Sequence, residues 1–115
     1  MPRVKRGTQH TKRRRNLLAR VKGFRWGRKS KIRLARTASL KAGVYAYRDR
    51  RNKKRAFRRL WTTKINAAAR VNGTTYSQLI NALKAANIEL DRKVLAALAE
   101  KHPEVFAKVV EATKK

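Results

Sequence analysis

Apolar positions recur at helical spacing in the second part of the chain and thin out in the first. Leu60, Trp61, Ile65 and Ala68 form a stripe one helix face wide. Asn72–Gly73 ends that helix, with Gly73 suited to a left-handed cap. Thr75 and Gln78 then make a capping box, and Tyr76, Leu79, Ile80 and Leu83 follow on one face. Asn87 ends this second helix. Asp91 caps a third, with Val94, Leu95 and Leu98 as its stripe and Leu90 and Leu95 placed for a hydrophobic staple. Pro103 suits the first turn of a last helix, with Phe106, Val109 and Val110 inward and Glu104–Lys108 and Glu111–Lys115 as outer i,i+4 pairs. These segments predict a helical bundle over 59–115, large enough for a core but only a marginal one.

Upstream the pattern differs. Met1 to Gln9 reads as an extended tail, because Pro2 and Gly7 disfavour helix. Thr11 to Lys22 predicts a short helix, with Thr11 as N-cap, Gly23 at its C′ position, and a thin apolar strip of Leu17, Leu18 and Val21. Gly23 to Lys29 is a turn bracketed by glycines. From Ile32 to Arg70 no proline interrupts a second helical pattern, which carries a seam of small side chains: Ala35, Ala38, Ser39, Ala42, Gly43 and Ala46. Such a helix would span about 58 Å at ~1.5 Å per residue and should protrude from a domain this small. The expected fold class is therefore all-α. A long basic N-terminal helical arm (short helix, turn, long helix) over 1–58 leads into the small C-terminal helical bundle.

Charge explains why the first part lacks a core pattern. The 115 residues carry 33 Lys/Arg and 6 acids, a net of +27. Residues 1–70 hold 26 Lys/Arg and one acid, a net of +25, and residues 71–115 hold 7 and 5, a net of +2. The maximum is Arg48 to Arg59, where Arg48, Arg50, Arg51, Lys53, Lys54, Arg55, Arg58 and Arg59 face one acid, Asp49, four residues before Lys53. Charge on every helix face with unmixed sign is not a solvated surface. It opposes compaction until an anionic partner neutralises it. Guanidinium forks match phosphate oxygens bidentately.

The candidate nucleic-acid-binding set follows from this distribution. It takes Arg3, Lys5 and Arg6 in the tail, which can thread along a polyanion and order on binding. In the short helix it takes Lys12, Arg13, Arg14, Arg15, Arg20 and Lys22. The three consecutive arginines fan about 100° apart, which suits a crevice with phosphates on several sides. Around the turn it takes Arg25, Arg28 and Lys29 with Phe24 and Trp26, whose rings either stack on unpaired bases or fold back on Leu17, Leu18 and Val21. Beside the small-residue seam it takes Lys31, Arg33, Arg36 and Lys41. It adds Tyr45 and Tyr47, whose hydroxyls can meet phosphate or ribose, the eight cations above, and Lys64 and Arg70.

Other chemistries find no residues. Cysteine is absent. His10 and His102 are far apart without clustered carboxylates, so no metal site is expected. Ser30, Ser39 and Ser77 lack His/Asp partners, and there is no Gly-rich phosphate loop. No enzyme activity, catalytic residue or cofactor is expected. No apolar run nears the ~18–20 residues of a membrane span. MPRVKRGTQHTKRRR has no apolar segment after its charges, which argues against a secretory signal. Its basic bias persists to residue 70, too far for a removable organellar presequence. Two binding roles remain: packing into structured RNA, or compacting duplex DNA from the major groove.

The opening MPRVKRGTQHTKRRR, the block AGVYAYRDRRNKKRAFRRLWTTKINAAAR at 42–70 and SQLINALKAANIELDRKVLAAL downstream together resemble the bacterial large-subunit ribosomal protein L-twenty family. The resemblance implies a primary rRNA binder that acts early in large-subunit assembly, with a basic helical arm buried in rRNA and a helical C-terminal domain. It implies no catalytic residues. It further implies rRNA contacts at Asn72, Thr75, Tyr76 and Ser77, neighbouring large-subunit proteins as partners, and in some members repression of their own mRNA. The expected location is cytoplasmic, on the ribosome of a bacterium, or in an organellar stroma or matrix.

Overall fold

The structure is a computed structural model that describes Met1 and residues 3–113. Pro2 and the Lys115 end of the expected Glu111–Lys115 pair lie outside the described residues. The elements are α1 (Arg6–Arg20), a 3-10 turn (Trp26–Lys29), α2 (Ile32–Val71), α3 (Tyr76–Ala85), α4 (Arg92–Lys101) and α5 (Pro103–Ala112). No strand occurs among the described residues. Every expected helix is present. The chain divides into two compact units, Met1–Arg51 and Asn52–Lys115.

In the first unit α1 begins at Arg6, earlier than Thr11, so the extended tail is shorter than expected. Thr11 is not a cap. Its hydroxyl donates to the Gly7 carbonyl at 3.0 Å, and Thr8 donates likewise to Lys5 at 2.8 Å. A threonine hydroxyl can satisfy a carbonyl one turn back as readily as it caps an N–H. The helix stops at Arg20, leaving Lys22 in the turn, where Gly23 takes φ +87° and Phe24 N–H reaches the Val21 carbonyl at 3.0 Å. Only Val21 and Ala35 are fully buried among the described residues of this unit. Leu17, Leu18, Phe24, Ile32, Ala38 and Ser39 are half-buried.

The second unit has a true core. Ile65 and Ala69 of α2, Leu79 and Leu83 of α3, Leu95 and Ala96 of α4, and Phe106 and Val110 of α5 are all buried together. Three of the four helices contribute residues four apart, one turn of one face. Trp61, Ile80, Ile88, Leu98 and Val109 border this cluster. Val94, expected in the stripe of α4, is instead exposed, and Ala96 takes its place. Val94 lies in the first turn, where its N–H is held by the Asp91 carboxylate at 2.7 Å. Asp49 pairs with the adjacent Arg48 at 2.8 Å, and Glu104 has His102 Nδ1 at 4.0 Å; among the described residues neither expected i,i+4 partner, Lys53 or Lys108, forms an ion pair.

The chain reversals are set by local chemistry. After α2, Gly73 takes φ +73°, Thr74 N–H bonds the Ala69 carbonyl at 3.0 Å and Gly73 N–H that of Arg70 at 3.1 Å. After α3, Asn87 takes φ +52°, Ile88 N–H bonds Leu83 at 2.9 Å and Asn87 N–H bonds Lys84 at 3.1 Å. Both are Schellman motifs with a left-handed residue. The Thr75 capping box and Asp91 cap form as expected. Pro103 opens α5, and His102 stands between α4 and α5, with no hydrogen bond from its side chain to the cap of α5.

A Cβ added at Gly73 meets nothing within 4 Å, so only the left-handed backbone opposes it. Gly73→Ala is therefore expected to cost about 1 kcal/mol, whereas Asn87→Gly should be neutral or stabilising. Urea unfolding followed by helix signal checks both. Equal stability of Gly73→Ala and the parent would show that the strain is not there.

Candidate nucleic-acid interface

Every residue from 40 to 60 of α2 is exposed, including Leu40, Val44, Tyr45, Tyr47, Phe57 and Leu60. This helix segment buries no face of its own. At 3.6 residues per turn its eight cations between Arg48 and Arg59 point in all directions. Asp49 engages only one of them. Its hydrogen bond and charge raise the Arg48 pKa further, so that guanidinium stays protonated. Tyr45 and Tyr47 serve a local purpose that spacing did not reveal. The Arg48 guanidinium lies 4.9 Å from the Tyr45 ring centre and that of Arg51 3.6 Å from Tyr47. Each ring gives a long side chain a surface to lie on, which restricts the rotamers of the guanidinium.

Upstream cations are equally free of burial. Arg3, Lys5, Arg6, Lys12, Arg13, Arg14, Arg15, Arg20, Lys22, Arg25, Arg28, Lys29, Lys31, Arg33, Arg36 and Lys41 are all exposed. Within the first unit an open groove runs between α1 and the start of α2. Lys12, Arg13, Arg14 and Arg20 line one wall, Arg36 and Ser39 the other. The two aromatics of the turn take different roles. Phe24 is half-buried, while Trp26 is 84 % exposed with its backbone at φ +59°. For a bulky residue that left-handed conformation costs ~1–2 kcal/mol.

The second unit presents a polar cluster around Tyr76. Its N–H bonds the Asn66 side-chain oxygen at 3.3 Å and its hydroxyl accepts from Arg92 Nε at 2.8 Å. Burial pushes the phenol pKa up. The bonds from Arg92 and Thr62 and the charges of Arg92 and Arg58 outweigh it, leaving the pKa below 10.0. A shallow depression lined by Arg55, Arg58, Arg59, Thr62 and Thr63 lies on the same helix as Thr62 and Asn66. Arg92 did not emerge from the sequence, because an arginine between Asp91 and Lys93 looks like an ordinary helix start.

Of the other residues in this unit, Asn72 donates its side-chain amide to the Ala68 carbonyl at 2.8 Å, and Thr75 is held by Gln78 in its capping box. Ser77 and Arg70 are exposed. Lys64 is different from the arm cations: its ammonium lies 2.7 Å from Glu100 of α4. That hydrogen bond and charge hold the Glu100 carboxyl below the usual carboxylate range. Among the described residues no cluster of His, Asp and Glu is placed to hold a metal, and no helix is long and apolar enough to cross a membrane.

The lowered Tyr76 pKa has a measurable consequence. The folded state favours the phenolate more than the unfolded state does. This contribution is fully present above the unfolded value of 10.0 and is lost as pH falls through the lower folded value. Near-ultraviolet titration of the parent minus Tyr76→Phe should show a tyrosine ionising below 10.0. A difference curve centred at or above that value would contradict the geometry.

A family profile described as Ribosomal protein L20 matches residues 3–109. The chain is 57% identical over 114 residues to the large ribosomal subunit protein bL20 of Leptospira biflexa serovar Patoc, covering 99% of this chain and 97% of that one. The protein of the same name from Roseiflexus castenholzii is 56% identical over 111 residues, covering 96% and 95%. That from Methylibium petroleiphilum is 54% identical over 114 residues, covering 99% and 97%. With the profile spanning nearly all of its length and identities above half, the chain belongs to the ribosomal protein L20 family.

Proposed function

We propose that this chain is a structural constituent of the large ribosomal subunit that binds rRNA directly and early. The observation that carries the reading is the wholly exposed, single-signed segment of α2 between Arg48 and Arg59. Residues 1–58 act as the part that enters rRNA and neutralises its phosphates. Residues 59–115 anchor it through Asn72, Thr75, Tyr76 and Ser77, beside the Arg58–Arg92 cluster. The other partners are neighbouring large-subunit proteins. Duplex-DNA compaction is disfavoured by the segregated, nearly neutral second module and by the family membership.

A competition assay tests this. Full-length protein on a large-subunit rRNA fragment is challenged with duplex DNA at equal, near-physiological salt. Strong rRNA preference is expected; equal affinity would return the DNA reading. Repression of its own mRNA is a second reading, supported by the compact polar surface around Tyr76. It requires specific message binding that Tyr76→Ala reduces.

A further inference from the structure

We infer that Trp26 stacks on an unpaired nucleobase and so marks a point where the bound RNA departs from regular duplex. This rests on the rRNA reading above. The ring is 84 % exposed, and the residue holds φ +59°, a conformation bulky side chains avoid. A tryptophan that paid for its backbone by burial would need neighbours, but Phe24 is the half-buried aromatic of this turn and Trp26 is exposed. The turn is nonetheless firmly fixed. Ser30 and Lys31 N–H groups both reach the Gly27 carbonyl, at 3.3 and 2.8 Å. A Cβ on Gly27 would come within 3.2 Å of Lys31 Cδ and 3.3 Å of Leu34 Cδ1, so the side chains of Lys31 and Leu34 lie close over the turn there. An aromatic plane is thus presented outward from a hydrogen-bonded turn.

The flanking charge identifies the partner. Arg25, Arg28 and Lys29 are exposed on either side. Cations around an exposed indole match the two halves of a nucleotide: phosphates outside, base face within. A base inside a duplex has no free face, so the stacking partner is unpaired. Stacking is uncharged, and it therefore adds affinity without adding released counterions.

That separation provides the test. Full-length parent, Trp26→Gly and Trp26→Phe are titrated with large-subunit rRNA across a salt series, and free-protein stability is measured in parallel. Trp26→Gly should weaken binding about 5- to 150-fold, leave the salt slope unchanged, and leave the free protein at least as stable because the backbone strain is relieved. Trp26→Phe should keep most of the affinity. Unchanged affinity in Trp26→Gly, or equal losses in both variants, overturns the inference. Normal rRNA affinity with impaired incorporation into subunits also overturns it and assigns the ring to a neighbouring protein. A shallow salt slope in the parent would instead refute the rRNA reading itself, which keeps the two failures distinct.

Discussion

Replacing the eight Lys/Arg between Arg48 and Arg59 with Gln is expected to weaken rRNA binding by about 10³–10⁵-fold at ~0.2 M salt. The size follows from counterion release. Each phosphate neutralised contributes about 0.7–0.9 to the slope of log K against log salt. Seven or eight lost contacts should therefore make the slope shallower by about 5–7. The range allows for Arg48, whose charge is already shared with Asp49 at 2.8 Å. Helix loss would not explain the effect, because Gln has nearly the helix propensity of Lys and Arg, and the change removes like-charge repulsion along α2. No face of this segment is buried, so the core of the second unit should be untouched. Binding measured from ~0.05 to ~0.3 M salt, with helix content as control, decides it. If affinity falls but the slope does not change, the cations act through something other than phosphate neutralisation.

Residues whose structure is set by near neighbours were legible in the sequence. Gly73, Thr75, Asp91 and Pro103 announce helix ends because each acts on backbone groups within a few residues. The core of the second unit followed from spacing alone for Ile65, Leu79, Leu83, Leu95, Phe106 and Val110. Structure departs from the sequence pattern where one residue type has two local uses. Thr11 bonds backward to Gly7 rather than capping, so α1 starts earlier than its threonine suggests. Asp49 chose Arg48 over Lys53, since an adjacent long side chain on an exposed helix can fold over as easily as one a turn away. Val94 is exposed where its spacing suggests an inward position, because a ten-residue helix gives few repeats from which to fix its rotation.

The candidate interface divides the same way. Its electrostatic part is a property of composition and needs no coordinates. The bond from Arg92 to Tyr76 joins residues 16 apart through the packing of α3 and α4, and no periodicity encodes it. The left-handed backbone of Trp26 was likewise hidden, because such positions are ordinarily signalled by glycine or asparagine.

Phe106→Ala should remove a large part of the stability of the second unit. Phe106 is 1 % exposed and among the largest side chains of a core built from eight buried residues. Removing a buried phenyl ring costs ~3–5 kcal/mol, because the surrounding helices close the cavity only partly. A unit of this size has about 3–10 kcal/mol in total at ~0.05–0.15 kcal/mol per residue. The thermal midpoint should fall by at least about 12 °C, at ~4–8 °C per kcal/mol for a small domain. Val94→Ala, at an exposed position of α4, should stay within ~0.5 kcal/mol of the parent. The Tyr76 titration supplies an independent readout, since its lowered pKa depends on Arg92 and Thr62 being brought to the hydroxyl by the folded bundle. Above the lowered midpoint of Phe106→Ala that tyrosine should return towards 10.0, while Val94→Ala at the same temperature keeps the lowered value. If both variants melt alike, the stability of this unit does not come from the apolar cluster, and the helix caps at Gly73, Thr75 and Asp91 would have to supply it. At ~1 kcal/mol for a typical cap they reach only the low end of that range.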